Sequence, residues 1–513
     1  MRLIFIATMA VLMVGQAAAK DVLSGASLYA DVARYESFGL HRFGSPGDRA
    51  TADWIAGEMK QAGFEVSFQP VVLGRQYVVE QASAEASGTS IEATPFWWPP
   101  EDKASFHLSA LLAREGDVAG KILWLELPFD RGAYLGPAHR AAIAEAAARK
   151  PAAILLTIGN PADDRFAYNV TQEDVPWPVP VMVVGARSRA TFERAIASGE
   201  PVTFDVKGHY ERDVAGRNVI AETGAGRGPT IVVSTPMTGW YSCVCERGPG
   251  IANFLALART VAAEKWPAHL VFIATAGHEI GHGGMELFLK HGAPAPKDTL
   301  AWIHFGSSNA CYGFAEGART ERPEEERYLV LSKSAVALTD EAFAGVAAKR
   351  LVTEKQAVGE LRDVHAAGYP NFLGMAGRHR TFHTPSDDLG ATGPEILEPV
   401  ARAFVDAARK IVERGDAAIA SVQVASVLIV VAARLVVLAG LWLIVALLAV
   451  ALIVILLRLL LIDLRVIERA AGRTRRRIAR TGVAAVGRVD VIVVLRHVAA
   501  GGLRRRRQIH GIA

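Results

Sequence analysis

Between Asp48 and Gly63 the apolar residues Ala52, Ile55, Met59 and Ala62 recur at helical spacing, and Gly63 stops the run. Residues 66–72 then alternate as a strand does. In the middle of the chain, short apolar runs predict strands over 122–125, 153–157 and 181–184, with an Ala-rich helix over 137–149. Turn residues cluster between them, so this stretch reads as a compact α/β unit with its own core. From residue 217 the pattern predicts strands over 218–221, 230–234, 270–275 and 299–304. A helix over 250–263 places Ile251, Phe254, Leu255, Ala258 and Ala262 on one face, and a last helix covers 395–414. Strands alternating with helices predict an α/β fold whose mostly parallel sheet is sandwiched by helices. Ligands of such sheets bind beyond the carboxyl ends of the strands, so the residues after each strand carry the candidate chemistry.

The two ends are apolar in another way. Arg2, the apolar run 3–14 and Ala17-Ala18-Ala19 before Lys20 have the charged start, short apolar middle and small-residue cleavage site of a signal peptide, residues 1–19. Residues 435–457 carry no charge between Arg434 and Arg458. At 1.5 Å per residue they reach about 35 Å, enough to cross a hydrocarbon core of about 30 Å, which predicts a C-terminal transmembrane helix. Arg465, Arg469, Arg473, Arg475, Arg476, Arg477 and Arg480 follow at once. Such an excess marks the cytoplasmic side. The body is therefore expected outside the cytoplasm, exported and membrane-anchored, with 458–513 as a basic cytoplasmic tail.

Charge sharpens this division. Residues 417–513 hold 15 Arg and three acidic residues, a net +12 against +4 for the whole chain, which leaves −8 on residues 1–416. An acidic body argues against nucleic acid as a partner. At 513 residues with 51% hydrophobic and 21% charged side chains, the chain has room for about three units, and disorder is excluded as its main state.

Imidazoles and carboxylates gather where the topology points. His278, Glu279 and His282 follow the strand 270–275, His304 ends its own strand, and His383 lies in Phe382-His383-Thr384-Pro385. These are zinc's preferred ligands outside thiolate sites. His278 to His282 also matches HExxH, which needs both His on one helix face. A buried strand runs directly into the motif, and Gly281, Gly283 and Gly284 each disfavour helix by about 1 kcal/mol, which argues against that reading. No Gly-x-Ser-x-Gly elbow is present, and Gly116 to Lys121 falls one residue short of a phosphate loop, with Ile122 where Ser or Thr is needed. Cys243, Cys245 and Cys311 form an odd set. One of the first two bonded to Cys311 would pin two strand-end loops, and a thiolate zinc ligand is the alternative.

With these residues in view, the chain resembles the M28 family of zinc aminopeptidases carrying an inserted protease-associated (PA) domain. Gly44-Ser45-Pro46-Gly47 looks like the family's entry segment, Val118-Ala119-Gly120-Lys121-Ile122 through Pro178-Val179-Pro180-Val181 looks like the insert, and Asn218-Val219-Ile220-Ala221 resumes the catalytic unit. The resemblance covers about residues 30–415. It implies a peptidase domain over 20–84 and 214–415, with a PA-like insert over 85–213 that lies over the cleft and supplies no ligand. The family's site holds two zinc ions on a His-x-Asp motif, a bridging Asp, a Glu-Glu pair, a further Asp and a late His. Here the His-x-Asp positions fall on Pro236 and Thr238, and the further Asp falls on His304. Glu279 matches the ligand Glu, His383 the late His, and Glu246 falls near the bridging Asp. His278 replaces the Glu that serves as general base, and His282 stands where the family carries an apolar residue. Losses confined to one half-site imply one zinc at most, held by Glu279 and His383, with His304 and Glu246 competing for the third place. The implied activity is hydrolysis of a peptide substrate near its amino terminus, with His278 as catalytic base. The alternative is a catalytically silent ectodomain that binds peptides or a protein partner.

Overall fold

In the computed structural model the described residues are 21–130, 132–223, 230–353 and 357–478. The expected signal peptide and the tail beyond 478 lie outside them. The chain divides into two compact units, Met1–Val424 and Ala425–Ala513.

The first unit begins with two capped helices. The Ser24 hydroxyl accepts the Ser27 N–H at the start of α1 (Gly25–Glu36), and Ser45 does the same for Asp48 at α2 (Pro46–Gln61), whose Pro46 suits a first turn. A ring of strands follows: β1 (Glu65–Ala86), β2 (Thr89–Pro95), β3 (Phe106–Ala113), β4 (Ile122–Pro128), α3 (Pro137–Ala148), β5 (Ala153–Gly159), β6 (Val181–Val184), α4 (Arg189–Ser198) and β7 (Pro201–Glu222). Successive pairing β1–β2–β6–β5–β4–β3–β7 closes when β7 pairs back to β1. Ile91, Trp124, Leu155, Met182 and Phe204 share one core of this ring, and Ile143 of α3 joins Leu156 and Ile158 in another. The expected strand 66–72 is only the start of β1. Much of β1 is exposed ribbon, so its apolar signal is weak.

The chain then continues through β8 (Thr230–Pro236), α5 (Val244–Glu264), β9 (His269–Thr275), α6 (Gly283–His291), β10 (Thr299–Phe305), the separate hairpin β11 (Tyr312–Ala315) and β12 (Ala318–Pro323), β13 (Arg327–Leu331), α7 (Val336–Ala342), β14 (Lys349–Val352), α8 (Leu361–Ala366), β15 (Phe372–Gly377) and α9 (Pro394–Ile478). The order from the ring outward is β7–β9–β8–β10–β15–β13–β14. β9, β8, β10 and β15 are mutually parallel, flanked by antiparallel β7 and β13. Alternation along β8 sends Ile231 and Val233 into a core with α1, α2, α5 and the start of α9, and Val232 into another with α6 and α8. The sheet is thus covered on both faces, as the alternating pattern predicts.

Two elements differ from expectation. α5 starts at Val244, not residue 250, with Pro249 inside it. α6 forms despite two glycines because packing requires one of them: a Cβ on Gly284 would lie 2.3 Å from the Ala276 carbonyl oxygen and 2.4 Å from Asn218 Oδ1. The helix begins only after His282, so residues 278–282 are not helical. In the second unit, Arg434–Asp463 is helical, long and apolar enough to cross a membrane, and none of it is buried inside the protein. The expected span 435–457 lies within it.

Candidate functional site

The carboxyl ends of β8, β9, β10 and β15, with the first turn of α5, bring the candidate residues into one region. Thr238, two residues beyond β8, is fully buried, and its hydroxyl donates to Glu279 Oε2 at 2.8 Å. The Thr238 hydroxyl oxygen in turn accepts the Gly277 and His278 N–H groups at 3.1 and 3.3 Å, fixing the loop after β9. Arg247 reaches back from α5. Its Nε donates to the Thr238 carbonyl at 2.8 Å, and its Nη2 lies 2.7 Å from Glu279 Oε1 and 2.9 Å from Glu246 Oε1. One guanidinium therefore bridges the two carboxylates expected to hold a metal.

His383 approaches from the late loop, with Nε2 3.3 Å from Glu246 Oε1 and Nδ1 2.6 Å from the Ala167 carbonyl oxygen. Asp387, four residues on, caps α5: its carboxylate accepts the Cys245 and Glu246 N–H groups, each at 3.0 Å, and contacts His379 Nε2 at 3.0 Å. A carboxylate suits the positive end of a helix. The ring of strands closes the region from above. Val170 N–H donates to the Glu279 carbonyl and Ala167 N–H to the His383 carbonyl, both at 3.0 Å, while Phe166 packs on the His383 ring. Glu246, Arg247, Glu279 and His383 are consequently 0%, 1%, 3% and 1% exposed.

The other two expected residues make their hydrogen bonds outside this centre. His304 Nδ1 is 2.8 Å from Ser234 Oγ, and burial lowers its pKa to about 4. His278 Nδ1 is 3.1 Å from Glu360 Oε1, a carboxylate that also accepts from Thr275. Burial, then the nearby Arg247 and His282 charges, push the His278 imidazole well below its ordinary pKa, which makes it a weak base. Its ring stacks on His282, which pairs with Asp363 at 2.5 Å.

The central charges are strongly coupled. Burial would raise the Glu246 pKa, but Arg247 and His383 outweigh it and hold the carboxyl well below its usual range. Burial would lower Arg247, and Glu246 and Glu279 instead raise it. As arranged, Glu279, Glu246, His383 and His304 do not fit a zinc ion: Arg247 holds both carboxylates and His304 is engaged by Ser234. Among the described residues, one group of three ligand-type residues converges, Cys245, Cys311 and His379, and its cysteines form a disulfide with Cα atoms 5.9 Å apart. That bond selects Cys245 as the partner of Cys311 and leaves Cys243 buried and free.

No protein-family model matches the chain. Zinc aminopeptidase BSAP from Bacillus subtilis superposes with TM-score 0.58 at 15% identity, over 76% of this chain and 95% of that one. A peptidase M28 precursor from Shewanella amazonensis gives TM-score 0.57 at 15% identity, over 75% and 92%. The fold is that of M28 zinc aminopeptidases. In sequence, leucine aminopeptidase 2 of Arthroderma otae is 28% identical over 249 residues, 45% of this chain and 46% of that protein. The chain thus matches less than half the length of this relative. Glu246, Glu279 and His383, candidates from the sequence, lie together in this fold, whereas Arg247, Asp387 and Glu360 were not among the candidates. Arg247 directly follows a candidate ligand in a helical first turn, and only the folded backbone reveals that it turns inward.

Proposed function

We propose that this chain is an exported, membrane-tethered module of M28 fold, with a PA-like insert over 85–213, that recognises peptide or protein segments without hydrolysing them. One observation carries the reading: the centre is sealed and its two carboxylates are bridged by Arg247, while an open cleft of about 790 Å³ lies beside it. The cleft is lined by Val71 and Leu73 of β1, Tyr134, Gln172, and Glu286 and Lys290 of α6. The Gln172 side-chain amide already pairs with this edge of β1, accepting the Arg75 N–H at 2.9 Å and donating to the Arg75 carbonyl at 3.1 Å. In an antiparallel pair the outward-facing residues alternate, so the backbone groups of Val71 and Leu73 face the same side as those of Arg75. Such an edge suits an extended peptide.

The full chain in detergent is expected to show no turnover of aminoacyl substrates, with or without added zinc. It is expected to bind selected extended peptides, and N-methylation of alternate peptide backbone positions should abolish that binding. The second reading, a one-zinc peptidase on Glu279, His383 and Glu246, is favoured by the approach of His383 to Glu246. Zinc-dependent hydrolysis lost in both Glu279→Gln and His383→Ala would establish it and refute the first. For topology, external protease acting on cells whose outer surface is open is expected to remove the body and spare the basic tail. A body that stays protected until the inner bilayer is broken would reverse the orientation.

A further inference from the structure

Two buried carboxylates face each other at the heart of a fold whose neighbours are described as zinc enzymes, and something must neutralise them. An uncompensated charge at this depth would prevent folding or force the group to take up a proton. We infer that Arg247 is the resident cation of this centre, a covalently attached substitute for a divalent metal, so that the chain assembles there metal-free.

The geometry supports substitution rather than a chance ion pair. The guanidinium meets both Glu246 and Glu279 through Nη2, while Nε is fixed by the Thr238 carbonyl. Thr238 occupies one of the two positions where the resemblance expects a ligand-bearing motif, and its hydroxyl fixes the other oxygen of Glu279. Pro236, at the other position, offers no ligand atom. Where Pro236 and Thr238 offer no metal ligand, Arg247 supplies the positive charge. Zinc would need carboxylate oxygens at about 2.0–2.2 Å and would sit directly against the guanidinium, with little solvent to screen the repulsion. His383 completes the set by placing Nε2 on the same Glu246 oxygen that Arg247 holds.

This inference is independent of peptide recognition, since its readouts are metal content and thermal midpoint. The full-length protein, equilibrated with zinc ion and freed of excess, is expected to retain only substoichiometric metal, and its midpoint should not respond to chelator or zinc. Arg247→Met should lower the midpoint by several degrees or more, and zinc should restore part of the loss, because the vacated carboxylates then bind the ion preferentially in the folded state. Arg247→Lys keeps a cation and should show a smaller loss with no zinc response. Stoichiometric zinc in the unmodified chain, released by His383→Ala or Glu279→Gln, would overturn the inference. So would an Arg247→Met protein with an unchanged midpoint. If Arg247→Met does not fold, the metal content of the unmodified chain and the zinc indifference of Arg247→Lys still decide the matter.

Discussion

Asp387→Ala is expected to lower stability by about 3 kcal/mol or more, because removing a buried carboxylate leaves the donors it accepts from unsatisfied. The carboxylate is fully buried and does three things at once: it accepts the Cys245 and Glu246 N–H groups and faces His379 Nε2. Removing it leaves two helix-end donors and an imidazole without their partner, in a place water does not reach. The neighbouring Asp388 is the natural control. It is exposed and caps only the short turn at Gly390, so Asp388→Ala should cost about 1 kcal/mol or less. Urea unfolding of the two variants should show a large separation in midpoint, and equal midpoints would contradict the capping role assigned to Asp387.

The double change Cys245→Ser, Cys311→Ser is expected to cost about 4 kcal/mol, from the chain entropy released when a cross-link spanning a separation of 66 residues is removed. The bond ties the first turn of α5 to the segment before β11, and both sulfurs are buried. Both cysteines must be changed together, because Cys245→Ser alone leaves Cys243 and Cys311 free to pair wrongly. Denaturation with and without reductant reads the effect. The unmodified protein should fall to the stability of the double variant under reduction, and insensitivity to reductant would show the bond to be absent in solution.

The parallel core was legible because its strands are buried on both faces, so Ile231 to Val233 and Leu270 to Ile273 read as unbroken apolar runs. Of the β1–β7 ribbon only residues 66–72 and 218–221 were legible, since much of the rest is exposed and its two strands pair across more than a hundred residues. Closure of seven strands into a ring is a non-local fact that no window of sequence contains. At the site, Glu246, Glu279 and His383 could be named through the family resemblance, because their motif neighbours, Gly250 to Ala252, Gly277 to Gly281 and Phe382 to Pro385, are legible in the sequence. Arg247 could not, because an arginine near a helix start is ordinarily a solvated surface residue. The turn that aims it inward comes from the Thr238 carbonyl nine residues back and from Asp387, which a distant part of the chain supplies.

The stitches between the ring and the late loop also set an order of assembly. Ala167 and His383 hold each other through two hydrogen bonds, α5 is capped by Asp387, and the Gly25 N–H at the start of α1 is held by Glu398 at 2.7 Å. Each contact joins an early segment to one synthesised much later. As the chain emerges from the ribosome, the ring can form from its own strands, but α1, α5 and the loop at residues 166–170 must wait for residues 383–398. Contacts of such separation are slow to form, so the half-made body leaves open the sheet face that Ile396, Leu397, Val400 and Phe404 of α9 later cover, for as long as its last stretch remains unmade.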